Sequence, residues 1–465
     1  MKGFTFNIDI LIIWTYVIDL YNWRVTNGFK DAVINHNFPP KKTKLLAHNI
    51  HPSLYFFLRL VLSVFQRENM LNLSHPLPTF YAASGHLIMH MFAAFYFVIV
   101  LGIEDDWQIS YDQLVDLWFF GSLLVGLGSI PAGWLSDKWS RSGMIAVMFV
   151  GLGITAILCG LSRNATSLML SLSMLGLFCS IYHPAGISWV VNMSKNTGEA
   201  LGFNNIFGGV GIGIGALTSG YLVDNYGWEY AFMIPGLISI VIGLFLVRHL
   251  YTGRVSLKNI NSEKFADNPE KGNVLKIIII MLISIACGGY VFQVLQTSLP
   301  KLIDIRLGEF LDLGAAKIGM IVSSIYVISG LMNYLGGVLA DRYSVKMIYA
   351  LGILIQGLLL LFFADMGSAF LIALALIIVA FNSSILPAEN ILLARFAPAE
   401  YQSLVYGVKF ILSFSIGPLV VFLVSRSYAA TQEFFTLYWV GGILMSILFF
   451  MILSLPLRKS DLKAA

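Results

Sequence analysis

Residues 133–141 read Gly-Trp-Leu-Ser-Asp-Lys-Trp-Ser-Arg, a short charged stretch between two long apolar runs. The chain repeats this pattern at residues 337–346, Gly-Val-Leu-Ala-Asp-Arg-Tyr-Ser-Val-Lys, and the two leading glycines lie 204 positions apart. Each copy favours a tight turn, in which glycine lets two helices approach and aspartate can interact with the N-terminal end of a neighbouring helix. The repeat predicts two related halves with a gating turn in each. The candidate gating residues are Gly133, Asp137, Arg141, Gly337, Asp341 and Arg342.

The composition indicates a membrane protein. The 465 residues are 57% hydrophobic and only 12% charged, with a mean hydropathy of +0.79, whereas soluble domains carry about 25% charged residues. The net charge of +4 is small and is interpreted as loop bias, so no nucleic-acid partner is predicted. Cys159, Cys179 and Cys287 lie in apolar runs without metal or redox spacing, and they are interpreted as small buried hydrophobes. No metal site and no cofactor are predicted.

Apolar runs long enough to cross a bilayer, which takes about 20 residues, recur along the chain. The predicted fold is an all-α membrane protein of twelve transmembrane helices in two six-helix halves. The halves are predicted at 76–250 and 274–465, joined by a polar cytoplasmic linker at 251–273, and Pro184-Ala185 recurs as Pro387-Ala388. The spans are predicted near 79–103, 112–134, 143–162, 165–191, 202–223, 229–249, 274–298, 314–339, 346–364, 368–394, 404–425 and 434–456.

Residues 1–75 do not match this pattern. The run from Leu54 to Phe65 contains Arg59 and is too short to span. One interpretation is an amphipathic segment on the membrane surface. The other, which we favour, is that this extension is not native and that the protein starts at Met70, downstream of the chosen start codon.

The repeated turns resemble the loops between helices 2 and 3, and between helices 8 and 9, of the major facilitator superfamily. More narrowly, Gly85-His86-Leu87, residues 109–114 (Ile-Ser-Tyr-Asp-Gln-Leu) and His183-Pro184 look like the fosmidomycin-resistance branch of drug efflux proteins. The chain departs from that branch at His90, where an acidic residue is expected, and this departure puts the branch's mode of proton coupling in doubt. The superfamily resemblance implies that helices 1, 4, 7 and 10 line a central cavity.

Basic residues predict the orientation. They concentrate on one side of the predicted spans, together with the linker and the C-terminal tail, whereas the opposite loops hold mostly acids such as Glu104-Asp105-Asp106. The sequence therefore predicts a multi-pass plasma (inner) membrane protein with both termini in the cytoplasm. The basic residues are Lys138, Arg141, Lys195, Arg342, Lys346 and Arg395.

Polar side chains within the predicted spans are candidates for a substrate or proton path, because such groups are costly in a bilayer and usually face a bundle interior or a water-filled path. For His86, a hydrogen bond at the membrane interface is as good an explanation as a role in the path. For His183, the competing explanation is a structural hydrogen bond to the backbone carbonyl that Pro184 leaves unpaired. Glu389 and Lys409 lie at similar depth, so they are expected to pair. The alternative to a role in transport is that the pair only neutralises two buried charges. The candidates are His86, His90, His183, Gln293, Gln296, Asn382, Glu389 and Lys409.

The predicted function is secondary active transport of a small organic solute by alternating access. No nucleotide-binding loop is present in the sequence, so an ion gradient, most simply of protons, is the expected energy source. The expected partners are the solute, the lipid bilayer and the gradient, with the chain acting as a monomer and not as an enzyme. Two alternatives remain open: a solute uptake symporter instead of a drug exporter, and a non-transporting membrane sensor on the same scaffold.

Overall fold

The computed structural model describes residues 76–193, 197–258, 274–396 and 402–455. Twelve helices in these ranges are long and apolar enough to cross a membrane, and we number them spans 1 to 12. The predicted all-α fold of twelve spans is confirmed. Residues 1–75, with both interpretations of them, lie outside the described residues.

Five spans, 1, 2, 4, 7 and 10, are divided into shorter segments, so the helical segments outnumber the spans. Breaks follow Ala94 in span 1 and Ser384 in span 10, and π-helical turns lie in spans 4 and 7. The segments are Pro76–Ala94 and Tyr96–Trp107 (span 1); Tyr111–Asp116, Phe119–Leu127 and Ser129–Lys138 (span 2); Arg141–Gly160 (span 3); Ala165–Cys179, the π-helical His183–Ile187, and Ser188–Met193 (span 4); Thr197–Tyr226 (span 5); Trp228–Tyr251 (span 6); Val274–Ile303, the π-helical Asp304–Gly308, and Glu309–Leu311 (span 7); Ala315–Arg342 (span 8); Val345–Phe363 (span 9); Phe370–Ser384 and Leu386–Phe396 (span 10); Gln402–Thr431 (span 11); and Phe435–Leu453 (span 12).

Span 7 is longer than predicted. The sequence suggested an end near residue 298, because Lys301, Asp304 and Arg306 follow, yet helical structure continues to Leu311. The charged side chains are accommodated because each is paired: Lys301 with Glu104 and Asp304, and Arg306 with Glu433. Paired charges can lie at a helix end that hydropathy alone assigns to a loop.

The two repeated sequence features meet in space within each half. A side-chain carbon added at Gly133 would lie 3.2 Å from Pro184 Cβ, and one added at Gly337 would lie 3.9 Å from Pro387 Cβ. The glycine of each turn therefore contacts the proline of the Pro-Ala repeat in the same half. At Gly133 the approach is close enough to favour glycine, whereas the 3.9 Å at Gly337 is an ordinary van der Waals contact that a Cβ would also allow.

The two six-helix halves contact each other mainly through spans 5 and 8, spans 2 and 11, and spans 1 and 7. Span 5 has a glycine-lined face on span 8: Gly209 lies against Gly330, Gly213 against Ser323, and Gly220 against Ala315. Small residues allow this close approach of two backbones in a membrane. A second face of span 5 packs on span 1, where Gly211 lies against Leu87. Small residues therefore let span 5 pack closely on two faces.

We expect Gly220→Ala to lower the thermal unfolding temperature of the purified protein by several degrees. The added Cβ would lie 2.2 Å from the Ala315 carbonyl oxygen, so spans 5 and 8 must separate, and overpacking of this kind costs about 1–3 kcal/mol. Gly288→Ala is the matched control, because no atom lies within 4 Å of its added Cβ and alanine favours helix. Equal unfolding temperatures for both variants would contradict the packing described here.

Candidate functional site

The predicted histidines come together in the N-terminal half. One ring nitrogen from each of His86, His90 and His183 lies within 4.8 Å of the other two, and we call these residues the histidine cluster. The ring centroid of His90 lies 4.8 Å from that of His86 and 5.4 Å from that of His183. His86 and His183 are buried, whereas His90 is half-buried. The sequence named these residues singly, and their convergence is a finding of the structure.

Hydrogen bonds fix the orientation of His86. Its Nδ1 atom lies 2.7 Å from the backbone carbonyl oxygen of Asn204 in span 5, and its ring stacks on Tyr182 with centroids 4.7 Å apart. The Tyr182 hydroxyl in turn lies 2.8 Å from both the Ala82 carbonyl oxygen and the Asn204 side-chain oxygen. Because these contacts join spans 1, 4 and 5, they hold the His86 ring in one position. The hydrogen-bonding interpretation of His86 is therefore supported, with a backbone partner deep in the bundle.

Local backbone geometry brings span 4 to the cluster. His183 is the first residue of the π-helical turn His183–Ile187, and Pro184, which cannot donate a backbone hydrogen bond, follows it. Such π-helical turns are uncommon and occur often at functional sites. The His183 ring contacts both histidines of span 1 and, from the other half of the protein, Phe414, whose ring centroid is 4.6 Å away. The two halves therefore meet at His183.

The C-terminal half contains the predicted ion pair. Lys409 Nζ lies 2.6 Å from Glu389 Oε1, and the two side chains are only 8% and 6% exposed. The Tyr349 hydroxyl donates to Glu389 Oε2 at 2.7 Å, and Lys409 also donates to the Asn390 side chain. The Tyr349 hydroxyl further bonds to Ser284. The carboxylate is thus connected to four spans: 7 through Ser284, 9 through Tyr349, 10 itself, and 11 through Lys409.

The three predicted amide side chains lie in spans 7 and 10 and have different neighbours. Gln296 is buried and its Nε2 donates to the Ala93 carbonyl oxygen of span 1 at 3.4 Å. The Nε2 atom of Gln293 lies close to Gly417 of span 11. Asn382 is buried in span 10. Gln296 therefore reaches the other half, whereas Asn382 is buried within span 10.

The turns for which the sequence predicts a gating role lie at one end of the bundle, which we call the Asp137 end. Asp137, 67% exposed, pairs with Arg141 at 2.9 Å across the turn, and Arg141 is the first residue of span 3. Asp137 thus interacts with the start of the next helix through a side chain. The side chain of Asp341 lies outside the described residues, and Arg342, in the equivalent turn, is exposed.

Sequence reasoning missed a charged cluster at the opposite end. Lys301 of span 7 bonds to Glu104 of span 1 at 2.7 Å and to Asp304 at 2.9 Å, and its ammonium lies over the rings of Tyr111 and Tyr428. We call these five residues the Glu104 cluster. Lys301 is 8% exposed, and its bond to Glu104 joins the two halves. The signal in the sequence was Lys301 and Asp304 three residues apart at the end of an apolar run.

A second polar contact joins the halves at the same end. Asp224 at the end of span 5 accepts hydrogen bonds from the backbone N–H groups of Ala315 and Ala316, at 3.1 and 2.8 Å. A carboxylate at a helix N-terminus is stabilised by the unpaired N–H groups there and by the helix dipole. The Tyr111 hydroxyl of span 2 also donates to the Thr297 carbonyl oxygen of span 7. Polar bonds therefore join the two halves at this end of the bundle.

Comparison with known proteins identifies the family. The family model described as Major Facilitator Superfamily matches residues 82–316 and 281–465, which together include both gating turns and every candidate path residue.

Individual relatives have low sequence identity to this chain and are named for different roles. Puromycin resistance protein pur8 of Streptomyces alboniger is 26% identical over 163 residues, 33% of this chain and 31% of that protein. Niacin transporter NiaP of Acinetobacter baylyi is 24% identical over 149 residues, 31% of this chain and 33% of the transporter. These alignments span about a third of each relative. Multidrug resistance protein MdtG of Citrobacter koseri is 25% identical over 313 residues, 65% of this chain and 75% of that protein.

Solved structures show the same fold. A bacterial homologue of the human lysosomal transporter Spinster, inward-facing and unoccupied, superposes with a TM-score of 0.58 at 14% identity, covering 82% of this chain and 95% of the homologue. A peptide transporter of the POT type in complex with sulfate superposes with a TM-score of 0.64 at 14% identity, covering 81% and 93% of the two chains. At this identity the likeness concerns the fold alone. The narrower resemblance to the fosmidomycin-resistance branch stays a prediction.

Proposed function

Because the chain belongs to the major facilitator superfamily, we propose that it is a secondary active transporter that couples movement of a small organic solute to a proton gradient. The observation that carries this proposal is the buried Glu389–Lys409 pair, 2.6 Å apart, in the C-terminal half. A buried ion pair is weak evidence for stability, because desolvation offsets its attraction. Ionisable residues inside a membrane are instead functional candidates by default.

The pair supplies a simple coupling device. A proton taken up by Glu389 removes the charge that holds Lys409, so the ammonium is released to other acceptors. The bonds from Tyr349 and Lys409 to the carboxylate connect spans 9, 10 and 11, so loss of the charge changes contacts among three helices of one half. Alternating access then arises when that half rocks against the other about a site at mid-membrane. The remaining candidate residues, including Gln293, Gln296 and Asn382, would line the solute path.

The substrate class follows from the same pair. A released Lys409 ammonium is a point-charge partner for a carboxylate or a phosphonate, so we favour a solute with an acidic group. A relative named for puromycin resistance, pur8, and one named for niacin transport, NiaP, are both similar to this chain. The direction of transport is therefore left to experiment, and uptake by symport is the second candidate.

Proteoliposomes test the proposal directly. Purified protein is reconstituted with a pH-sensitive dye inside, and acidic and neutral small solutes are added from outside with and without an imposed proton gradient. We expect at least one acidic solute to move protons across the membrane, and the sign of the pH change to give the direction. A protonophore, added in a parallel sample, dissipates the gradient. A rate of solute movement that is the same with the gradient, without it and with the protonophore would refute proton coupling. A panel with no movement at all would favour the sensor alternative.

The proposed orientation places the Asp137 end in the cytoplasm. Basic residues such as Lys138 and Arg342 lie at that end, whereas Glu104 and Asp224 lie at the other. A reporter active only in the cytoplasm, fused after Lys258 or after Arg458, is expected to be active in both fusions. Activity of a periplasm-specific reporter at either position would contradict this topology.

We expect Asp137→Asn to reduce the turnover rate several-fold while leaving the substrate KM nearly unchanged. Asp137 is 67% exposed, whereas Arg141 is only 11% exposed, so Asn is chosen because it keeps a hydrogen-bond acceptor for the Arg141 guanidinium. A role in gating affects the cycle and not the solute site. Asp312→Asn is the matched control, because this exposed acid pairs with Lys317 at 3.8 Å within one half. A large rise in KM with normal turnover would show that Asp137 acts in binding.

A further inference from the structure

The histidine cluster has a composition that the proposed coupling does not use. Proton coupling is assigned above to the other half of the protein, whereas His86, His90 and His183 bring three imidazoles together in one place. Imidazole is the commonest metal ligand among side chains. From this geometry we propose that the three histidines bind a divalent late transition metal ion, such as Zn²⁺ or Co²⁺. The sequence predicted no metal site, because the residues lie on two helices and are 97 positions apart at most.

The hydrogen bonding of His86 prepares it as a ligand. Its Nδ1 lies 2.7 Å from the Asn204 carbonyl oxygen and 3.1 Å from the Asn204 side-chain Nδ2, and we assign the hydrogen to Nδ1 because the carbonyl contact is the shorter and a carbonyl can only accept. The lone pair of the neutral ring is then on Nε2. Metal-binding histidines usually donate their other N–H to a carbonyl or carboxylate in this way, which fixes the tautomer and the ring orientation.

Glycine leaves room beside the ligand atoms. A Cβ added at Gly208 of span 5 would lie 3.0 Å from His86 Nε2 and 3.2 Å from His90 Cδ2. Gly208 is therefore the backbone against which both rings of span 1 rest, and a larger residue there would displace them. The absence of a side chain keeps the space next to Nε2 available to an ion.

The distances require only a small closure. Tetrahedral Zn²⁺ with bonds of about 2.0–2.1 Å to nitrogen separates its ligand atoms by roughly 3.4 Å, and the three nitrogens already lie within 4.8 Å of one another. Side-chain rotation can supply the difference. His90 is the least buried of the three rings, so it is the ring whose rotation we expect on binding. Three neutral nitrogens favour Zn²⁺, Co²⁺, Ni²⁺ or Cu²⁺ over Mg²⁺ and Ca²⁺, which prefer oxygen.

The test measures Co²⁺ binding by the visible absorption of the ion on purified protein, prepared with a tag that contains no histidine. The background chain has the four histidines of residues 1–75 replaced by Gln, so that only the cluster and His249 remain. We expect one Co²⁺ per chain, displaced by Zn²⁺. Each of His86→Gln, His90→Gln and His183→Gln should weaken binding at least about tenfold, since each removes one of three ligands. His249→Gln is the matched control, because His249 bonds to the Tyr81 hydroxyl outside the cluster.

A fourth variant separates ligation from a structural role. His90→Cys keeps a ligand at the half-buried position, so it should retain Co²⁺ and add a thiolate-to-cobalt charge-transfer band that wild type lacks. Equal Co²⁺ binding in the control and the cluster variants, or absence of the band in a folded His90→Cys protein, would overturn the proposal. The inference rests on the proposed function only in placing the histidine cluster along the solute path. Co²⁺ binding is measured without a gradient or a solute. The metal proposal can therefore fail while proton-coupled transport is observed, and proton-coupled transport can fail while Co²⁺ binds.

Discussion

Glu389→Gln is expected to abolish gradient-driven solute accumulation while leaving solute exchange across the liposome membrane measurable. Gln keeps the shape of the side chain and its contact with the Tyr349 hydroxyl, but it cannot take up a proton. Exchange needs only the solute site and the rocking motion, whereas accumulation also needs the coupled proton. The measurement compares uptake against a proton gradient with exchange of internal for external labelled solute in the same preparation.

A double variant separates coupling from simple charge neutralisation. Removing one partner of a buried pair leaves an uncompensated charge at a cost of about 3–5 kcal/mol, so Glu389→Gln alone also lowers stability through Lys409, which is 8% exposed. Glu389→Gln combined with Lys409→Ala removes both charges and should restore expression but not accumulation. Full recovery of gradient-driven transport in the double variant would reject a functional role for the pair. Lys409→Ala alone should weaken solute binding if the ammonium holds an anionic group.

Lys301→Ala is expected to open the Glu104 end of the bundle. The substitution removes the cation that joins Glu104 of span 1 to span 7 and also contacts Asp304. The carboxylates left behind, Glu104 and Asp304, are 24% and 32% exposed, so the cost lies below the value of about 3–5 kcal/mol for a fully buried partner. A change of about 1.4 kcal/mol already shifts an equilibrium about tenfold. We therefore expect the closed population to fall at least about tenfold. The readout is the rate at which a maleimide alkylates Gln296→Cys, placed in a background without the native cysteines.

The matched control for this prediction is another lysine at the same end. Lys317 pairs with Asp312 at 3.8 Å, both side chains are exposed, and the contact stays within one half. Lys317→Ala should therefore leave the alkylation rate unchanged. Lys301→Arg keeps the charge and should behave like wild type or close to it. If Lys301→Ala alkylates at the wild-type rate, the Glu104 cluster does not hold this end closed.

The sequence predicted the fold well because each of its signals is local or repeated. Twelve apolar runs gave the spans, and the repeated turns gave the two halves. The structure adds that Gly133 meets Pro184 and Gly337 meets Pro387, so two repeats that looked separate form one contact in each half. The Glu389–Lys409 pair was predictable too, since two opposite charges at the same depth in neighbouring spans must neutralise one another.

The remaining parts of the site depend on side chains from distant segments. His86 is oriented by Asn204, which lies 118 positions away and bonds through its backbone, so no residue type marks the contact in the sequence. Lys301 looked like the start of a loop, because its partner Glu104 lies 197 positions away. Tyr349 and Ser284 carry hydroxyls that are ordinary in an apolar span until the fold places them beside a carboxylate. Contacts made in the folded protein, and not residue type, determine that these residues belong to the site.

The central claim is that the two ends of the bundle open in alternation. Distances between spin-label pairs test it, with one pair at Gln108 and Lys317 and the other at Lys138 and Tyr343, all exposed and each pair joining the two halves. Pulsed electron spin resonance on protein in lipid, at high and low pH and with a transported solute, should show the first distance lengthening while the second shortens. Distances that stay fixed in all conditions, or that lengthen at both ends together, would contradict alternating access.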